Sequence, residues 1–544
     1  MTHFEPKTGD LKIGDRFSRW DLPIILTVAT GLRVWRLDAK PLWVDELYTT
    51  FYSLGKNPAD APVGELLPVD RYWALLDLPT DSTVWQAAQA VTTYSNHPPL
   101  FFMLMNRWLH GFGSSVWSLR SLPVLCGLVA VVGSFYLGRR AGGATVGRLA
   151  AWLMAVSPYG IYLSQEARHY SLAVAIAIFL LTQWLALLKG KPSPYRWLAW
   201  IALNSLGLYV HYFYGFGILA QWLVTLGWLW QHRAAPQPKA PWPKWLLAMG
   251  LTALLYGPWL STALTHFQSE GGTGWLSRSL PGWQTVLLPW VQSLVAGVFM
   301  LIMLPVEQVP QWVSIPAGLI MLSVFGIVLR QLIMGWRSAS LPPYAWPLMG
   351  YGLGVLAIML AITYGLGKDL TVAPRYFFML YPALTVIVAL GLARRRKWVL
   401  GVAIAAGLLS QLLITYDIAL LKPYLPGQIG RRLGADPQAT VVLMAPSQPS
   451  YQTRVLSYIL AIPRPAKVLV GLGPPAPSAP WQPNLAPFNT QSKAPLTLWL
   501  VEPKRQADFP PTISLPDHTC LPVGERINTE GTRQQKYRCE PAQV

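Results

Sequence analysis

Four short stretches set ionisable side chains beside long apolar runs, where charge is costly unless it is paired or faces water. In Trp43-Val44-Asp45-Glu46 two adjacent carboxylates stand among apolar and aromatic neighbours. A carboxylate so placed can take the proton of an acceptor hydroxyl, the general-base step of a group transfer; in a plain loop turn the same two residues would be solvated acids. In Asn96-His97-Pro98-Pro99-Leu100 the prolines fix the start of the next helix and aim His97 at the surface, where a histidine can bind phosphate, shuttle a proton or ligate a metal. In Ser164-Gln165-Glu166-Ala167-Arg168-His169-Tyr170 there is almost no loop between two apolar runs, so Glu166 and Arg168 either pair or face a cavity. In Pro374-Arg375-Tyr376, preceded by Lys368 and Asp369, the guanidinium can fork onto a phosphate or anchor to lipid headgroups. His211, within Tyr209-Val210-His211-Tyr212-Phe213-Tyr214, is a packed ring unless Asp45 or Glu46 converges on it; with those two it forms the candidate set for a divalent metal.

The elements that must position these residues are membrane helices. Of 544 residues 53% are hydrophobic and only 12% charged, about half the usual globular share of ~25%. The 26 Trp and 23 Tyr suit the wet edges of a bilayer. A net charge of +19 raises the question of nucleic acid, but the basic residues sit in short clusters between apolar runs. That pattern orients a membrane protein and excludes a nucleic-acid partner. Apolar runs at 21–37, 117–138, 145–163, 170–188, 196–210, 212–230, 244–264, 312–333, 344–366, 376–393 and 398–416 give about eleven spans. With a cytoplasmic N-terminal segment (1–20), Arg139–Arg140, Lys189–Lys191, His232–Lys244, Arg330–Arg337 and Arg394–Lys397 all fall inside. The first run follows basic residues without a small-residue cleavage site and reads as an uncleaved span. The runs at 98–112 and 284–304 would spoil the alternation. The first carries Arg107 and His110 and suits a helix lying in the interface; the second is open between spanning and lying flat.

The expected fold is therefore an all-α polytopic membrane protein with interfacial helices in its first outer loop (38–116), within a membrane domain over 21–416. From 417 to 544 the chain turns Pro-rich and polar. Apolar strands at 440–445, 467–473 and 496–502, with a helix-like stretch at 448–460, predict a small extracytoplasmic α/β domain. Cys126 lies in an apolar run, which leaves Cys520 and Cys539 as the pair that could join.

In order along the chain, Trp43-Val44-Asp45-Glu46-Leu47-Tyr48, His97-Pro98-Pro99-Leu100, Leu119-Arg120-Ser121-Leu122-Pro123, Gly138-Arg139-Arg140, Gln165-Glu166-Ala167-Arg168 and Pro374-Arg375-Tyr376 resemble the GT-C-type membrane glycosyltransferases. The likeness is to the branch holding protein O-mannosyltransferases and the aminoarabinose transferases that modify lipid A, and it covers residues 20–395. It implies a donor sugar on a polyprenyl monophosphate, inversion at the anomeric carbon, and a lipid, glycan or protein acceptor at the periplasmic face of a bacterial inner membrane. It implies Asp45, beside Glu46, as the catalytic carboxylate. His97, Arg375, Tyr376 and Lys368 would meet donor phosphate, while Glu166, Arg168, Tyr170 and His211 would shape the sugar and acceptor pocket. Asn96 and His97 stand where the lipid A branch has an acidic residue and a lysine, so a metal site of that kind does not carry over; the histidine matches the mannosyltransferase pattern. A divalent ion is thus an open cofactor, and the sugar and the acceptor are open as well.

Two other classes fit many helices with intramembrane charge: a transporter or flippase of lipid-linked saccharides, and a polysaccharide ligase or polymerase using a diphosphate-linked donor. The first would carry charge through the midplane and a pair of broken, symmetry-related helices. The charges here share one face.

Overall fold

Each of the eleven apolar runs is helical, because a backbone in lipid must satisfy its own hydrogen bonds. The computed structural model describes residues 20–188, 193–231, 242–268, 274–277, 282–307, 309–337, 342–393, 398–419, 424–436, 439–444, 451–465, 468–473, 490, 494–502, 509–529 and 532–542. Residues 1–19, Lys189–Lys191, Arg394–Lys397 and most of 232–244 lie outside that set, so those assignments to the cytoplasmic face do too.

In chain order the helices are α1 (Asp21–Val34), α2 (Val44–Ser53), α3 (Val69–Trp73), α4 (Val84–Tyr94), α5 (Leu100–Phe112), α6 (Val116–Gly142), α7 (Ala144–Val156), α8 (Pro158–Ser164), α9 (Tyr170–Leu188), α10 (Pro194–Val210), α11 (Tyr214–Gln231) and α12 (Trp242–Gln268). They continue as α13 (Trp283–Phe299), α14 (Gln311–Arg337), α15 (Ala345–Leu366), α16 (Tyr381–Leu392), α17 (Trp398–Thr415), α18 (Pro426–Ala435) and α19 (Gln452–Ile459). Six of them, α6, α9, α12, α14, α15 and α17, are long and apolar enough to cross a membrane. Burial sorts these: 72% of the apolar window of α9 is inside the protein, against 17% for α12 and α14, so α9 is central and the other two face outward.

Two expected spans are not continuous helices. The run 145–163 breaks at Ser157, whose Oγ donates to Met300 O (2.7 Å) and accepts from Gly160 N (3.3 Å), with Pro158 at the first position of α8. A serine cap followed by proline starts a new helix rather than extending the old one. Arg33, buried in α1, closes the end of α7 by donating to Met154 O (3.0 Å) and Ala155 O (2.8 Å) and reaches Ser164 Oγ (3.2 Å). The positive group thus meets the negative end of a helix. The run 376–393 begins as a 3-10 turn, Pro374–Met379, before α16. The run 98–112 forms the 13-residue α5, too short to cross. In the other doubtful run, α13 has 17 residues and shows an exposed apolar row of Trp283, Val286, Leu287, Trp290 and Leu294.

The three strands expected in the tail form the middle of a seven-stranded sheet, four strands of which the sequence reading did not place. Strands β2 (Ala439–Met444), β3 (Leu469–Leu472) and β4 (Leu496–Glu502) are parallel neighbours, and β7 (Thr532–Pro541), β6 (His518–Thr529) and β5 (Ile513–Ser514) continue the sheet antiparallel. At the other edge β1 (Leu66–Pro68), from the first outer loop, pairs antiparallel with β3 and covers an edge that would otherwise be open. Cys520 and Cys539, directly opposed on β6 and β7, form a disulfide. One apolar core runs through both parts, from Trp43, Leu47 and Phe51 to Tyr424, Leu456 and Val470.

Candidate functional site

The site is built on the first turn of α2. Consecutive residues of a helix point about 100° apart, so Asp45 and Glu46 face different ways. Glu46 is fully buried and turns inward. Its Oε1 accepts from Arg120 Nε (2.8 Å) and Ala167 N (2.9 Å), and its Oε2 from Arg120 Nη2 (2.8 Å) and Trp43 N (3.4 Å). Arg120 then donates to the carbonyls of Leu37 (2.8 Å), Lys40 (2.9 Å) and Pro41 (3.2 Å). The pair ties three chain segments together at the N-terminal end of α6, and both oxygens of the Glu46 carboxylate are already hydrogen-bonded.

Asp45 keeps 20% of its side chain accessible and faces Arg375, with Oδ2 and Nη2 3.4 Å apart. Arg375 lies over the rings of Trp43 (5.4 Å) and Tyr376 (5.6 Å) and is held by its backbone, because Tyr159 donates to the carbonyls of Pro374 (3.1 Å) and Arg375 (3.2 Å). Arg168 closes the other side of α2, its Nη1 donating to Asp45 O (3.1 Å) and Thr49 Oγ1 (3.1 Å). Its Nη2 lies 3.1 Å from His97 Nε2. Arginine only donates, so His97 Nε2 is the acceptor and the proton sits on Nδ1, which donates to Ser95 Oγ (2.9 Å). Among the described residues, Arg168 Nε and Arg375 Nε are buried donors without a hydrogen-bond acceptor.

Behind Arg168 three imidazoles form a column. His169 sits 5.2 Å from His97 and 4.9 Å from His211, ring centre to ring centre, and His211 continues onto Phe378 at 4.8 Å. Burial, reinforced by Arg168, holds His97 and His169 well below the usual histidine range and brings His211 down to about 3. All three are neutral at ordinary pH. His211 Nδ1 accepts from Phe213 N (3.1 Å), which makes it a packed turn residue.

The remaining candidates scatter. Tyr170, buried, stands beside Arg168, whose guanidinium lies 5.9 Å from its ring. Tyr376 packs edge-on to Phe213 at 5.2 Å. Glu166 and Arg168 part company: a tight turn (Arg168 N to Glu166 O, 2.7 Å) sends Arg168 toward Asp45, while the Glu166 carboxylate acts on Arg120 and Tyr162 and lines a cleft with Trp35, Arg36 and Lys40. Lys368 is half-buried and donates to Ser277 Oγ (2.6 Å). Asp45, Glu46 and His211 each have other partners, and among the described residues no three His, Cys, Asp or Glu side chains gather as a metal would require. The residues present therefore do not fit a divalent ion at that set. Sequence reading gave no role to Arg120, Thr49 or His169, although Arg120 and His169 lie inside the stretches that carried it.

The family of dolichyl-phosphate-mannose-protein mannosyltransferases matches residues 96–261 of the chain. That segment runs from the His97 motif through the Glu166–Arg168 turn to α12. In three dimensions the chain resembles the crystal structure of ArnT from Cupriavidus metallidurans in the apo state, with a TM-score of 0.52 at 13% identity, over 95% of this chain and 97% of that one. The fold is of the GT-C glycosyltransferase type. The Archaeoglobus fulgidus oligosaccharyltransferase in complex with Zn and sulfate aligns at a TM-score of 0.45 and 14% identity, over 81% of this chain and 61% of that one. ArnT bound to undecaprenyl phosphate aligns at 0.37 and 14% identity, over 95% and 97%. No protein of curated function matches the chain significantly by sequence. Six helices of this frame are long and apolar enough to cross a membrane, and the charged residues gather at the junction of the helices, the loop over 38–116 and the tail.

Proposed function

We propose that the protein is an inverting glycosyltransferase, moving a sugar from a polyprenyl-phosphate donor to a hydroxyl or amine acceptor on a lipid, glycan or protein. The observation that carries this reading is the accessible carboxylate of Asp45 set between the buried guanidinium of Arg168 and the partly buried one of Arg375, each with its Nε–H left over. Asp45 takes the proton of the acceptor as the acceptor atom bonds to the anomeric carbon. The bond from that carbon to the phosphate oxygen breaks, and the phosphate gains the negative charge. Arg375 is the group placed to stabilise that charge, since donors fixed where charge develops stabilise a transition state most. Its long contact with Asp45 exchanges readily for a phosphate oxygen. Arg168 holds the backbone of Asp45 and is itself aligned by His97. Glu46 with Arg120 positions this turn and does no chemistry.

In this reading the eleven runs all cross, 21–416 is the catalytic membrane domain, and 417–544 with the first outer loop lies on the periplasmic side of a bacterial inner membrane. The Arg375→Ala variant tests it with radiolabelled undecaprenyl-phosphate-linked hexoses and pentoses as donors. The half-saturating donor concentration should rise at least tenfold while that for the acceptor holds. Equal loss toward both substrates makes Arg375 a structural anchor and removes the phosphate role.

A further inference from the structure

The helix that presents Asp45 caps itself only in part: Glu46 Oε2 accepts from Trp43 N (3.4 Å). Trp43 holds the N-cap position of α2 and has no side-chain oxygen to offer the first-turn N–H groups, which need acceptors. The acceptor for Val44 N–H arrives from 380 residues further along the chain: the hydroxyl of Tyr424, at 2.7 Å. Tyr424 is 1% exposed and stands just before α18, in the tail.

Ser457 Oγ donates to Arg454 O (2.5 Å), so its lone pairs are left for Tyr424, which donates to it across 3.2 Å and accepts from Val44. A single polarised chain thus runs from Val44 N–H through Tyr424 and Ser457 to a carbonyl of α19, and hydrogen bonds in such a chain strengthen one another. The ring is packed by the Arg454 guanidinium, 4.5 Å from its centre, and by Tyr458, nearly perpendicular at 5.6 Å. One turn further along α2, Tyr48 meets Thr453 of the same helix α19. On the far side, β1 pairs with β3 and Tyr72 donates to Val470 O (3.2 Å), so the outer loop is gripped from two directions.

We infer that Tyr424 is a positioning residue, and that the tail is part of the reaction centre because it supplies the cap that fixes the start of α2 and with it Asp45. What Asp45 does there rests on the transferase reading above. The position of the helix start does not.

The test is Tyr424→Phe in the full-length protein in lipid nanodiscs, a change that keeps the ring and removes only the hydroxyl. Hydrogen exchange of the peptide over residues 43–48 should rise roughly tenfold, the effect of leaving one buried N–H unpaired, with exchange of β2 to β4 unchanged. With radiolabelled undecaprenyl-phosphate-linked hexoses and pentoses as probes, kcat should fall roughly tenfold. Neither the half-saturating donor concentration nor the affinity for undecaprenyl phosphate should move. Ser457→Ala should shift exchange and kcat the same way by less. Unchanged exchange at 43–48, raised exchange with unchanged kcat, or a change confined to donor affinity each overturns the role. If the wild type transfers none of the probe sugars, the transferase reading fails, and the exchange data alone decide whether Tyr424 caps α2.

Discussion

Arg120 spends all five of its N–H groups, two on the carboxylate of Glu46 and three on the carbonyls of Leu37, Lys40 and Pro41. Such a pair is sensitive to the loss of one member, because the survivor becomes an uncompensated buried charge worth about 3–5 kcal/mol. Arg120→Ala and Glu46→Ala should each lower stability by about that amount, and Arg120→Lys should not restore it, since a lysine cannot fork. The double change Glu46→Leu with Arg120→Met should cost less than either alanine variant. Thermal midpoints in detergent check all four.

Arg168 reaches the Asp45 carbonyl, Thr49 and His97 from one planar group. Arg168→Lys should keep the charge and lose the geometry. A shift of about 1 Å at a reacting group costs roughly 10²-fold in rate, so kcat should fall by about that factor while the thermal midpoint moves little. Initial rates with labelled donor read the first, and scanning fluorimetry the second.

The histidine column makes stability depend on acid. Burial, with Arg168 close by, brings the His211 imidazole in the folded protein down to about 3, against an ordinary value of about 6.5. The unfolded chain therefore binds more protons between those values, so this contribution is complete above pH ~6.5 and is lost as pH falls toward ~3. From pH 6.5 to 5 the loss from His211 alone should approach about 2 kcal/mol. Thermal midpoints across that range should drop in the wild type and flatten in His211→Gln. An unchanged slope in the variant would show that the charge enters elsewhere.

The Cys520–Cys539 disulfide closes a loop of 19 residues in the tail, a constraint of about 3 kcal/mol on the unfolded chain. Reduction or Cys520→Ser should lower the midpoint of the tail accordingly, read by exchange of β6 and β7.

Six of the eleven expected spans were legible as long apolar helices because a bilayer demands runs of apolar residues, and α9 falls on 170–188 without a shift at either end. Three strands of the tail, β2 to β4, were legible from short apolar runs between prolines, whereas β5, β6 and β7 were not, because their sequences are mostly polar and β6 is largely exposed. What escaped depends on contacts far apart in the chain. A three-residue strand at 66–68 has no signal of its own and exists because β3 offers an edge. The break at Ser157 hides in an unbroken apolar run, where only the Ser-Pro pair marks it. Asp45, Arg168 and Arg375, which the fold brings together, stood out in the sequence by the cost of their charge beside apolar runs. The division of labour between Asp45 and Glu46 did not, because it is set by Arg120, 74 residues beyond Glu46. Nor does a local pattern tell that Arg168 turns toward His97 while Glu166 turns away.

The central claim is that Asp45 takes the acceptor's proton, and Asp45→Asn tests it most directly, since the amide keeps the size and cannot accept that proton. With radiolabelled undecaprenyl-phosphate-linked sugars and membranes carrying the native acceptors, initial transfer should fall by about 10²–10⁴-fold while undecaprenyl phosphate still binds. Transfer at a rate near that of the wild type would contradict it.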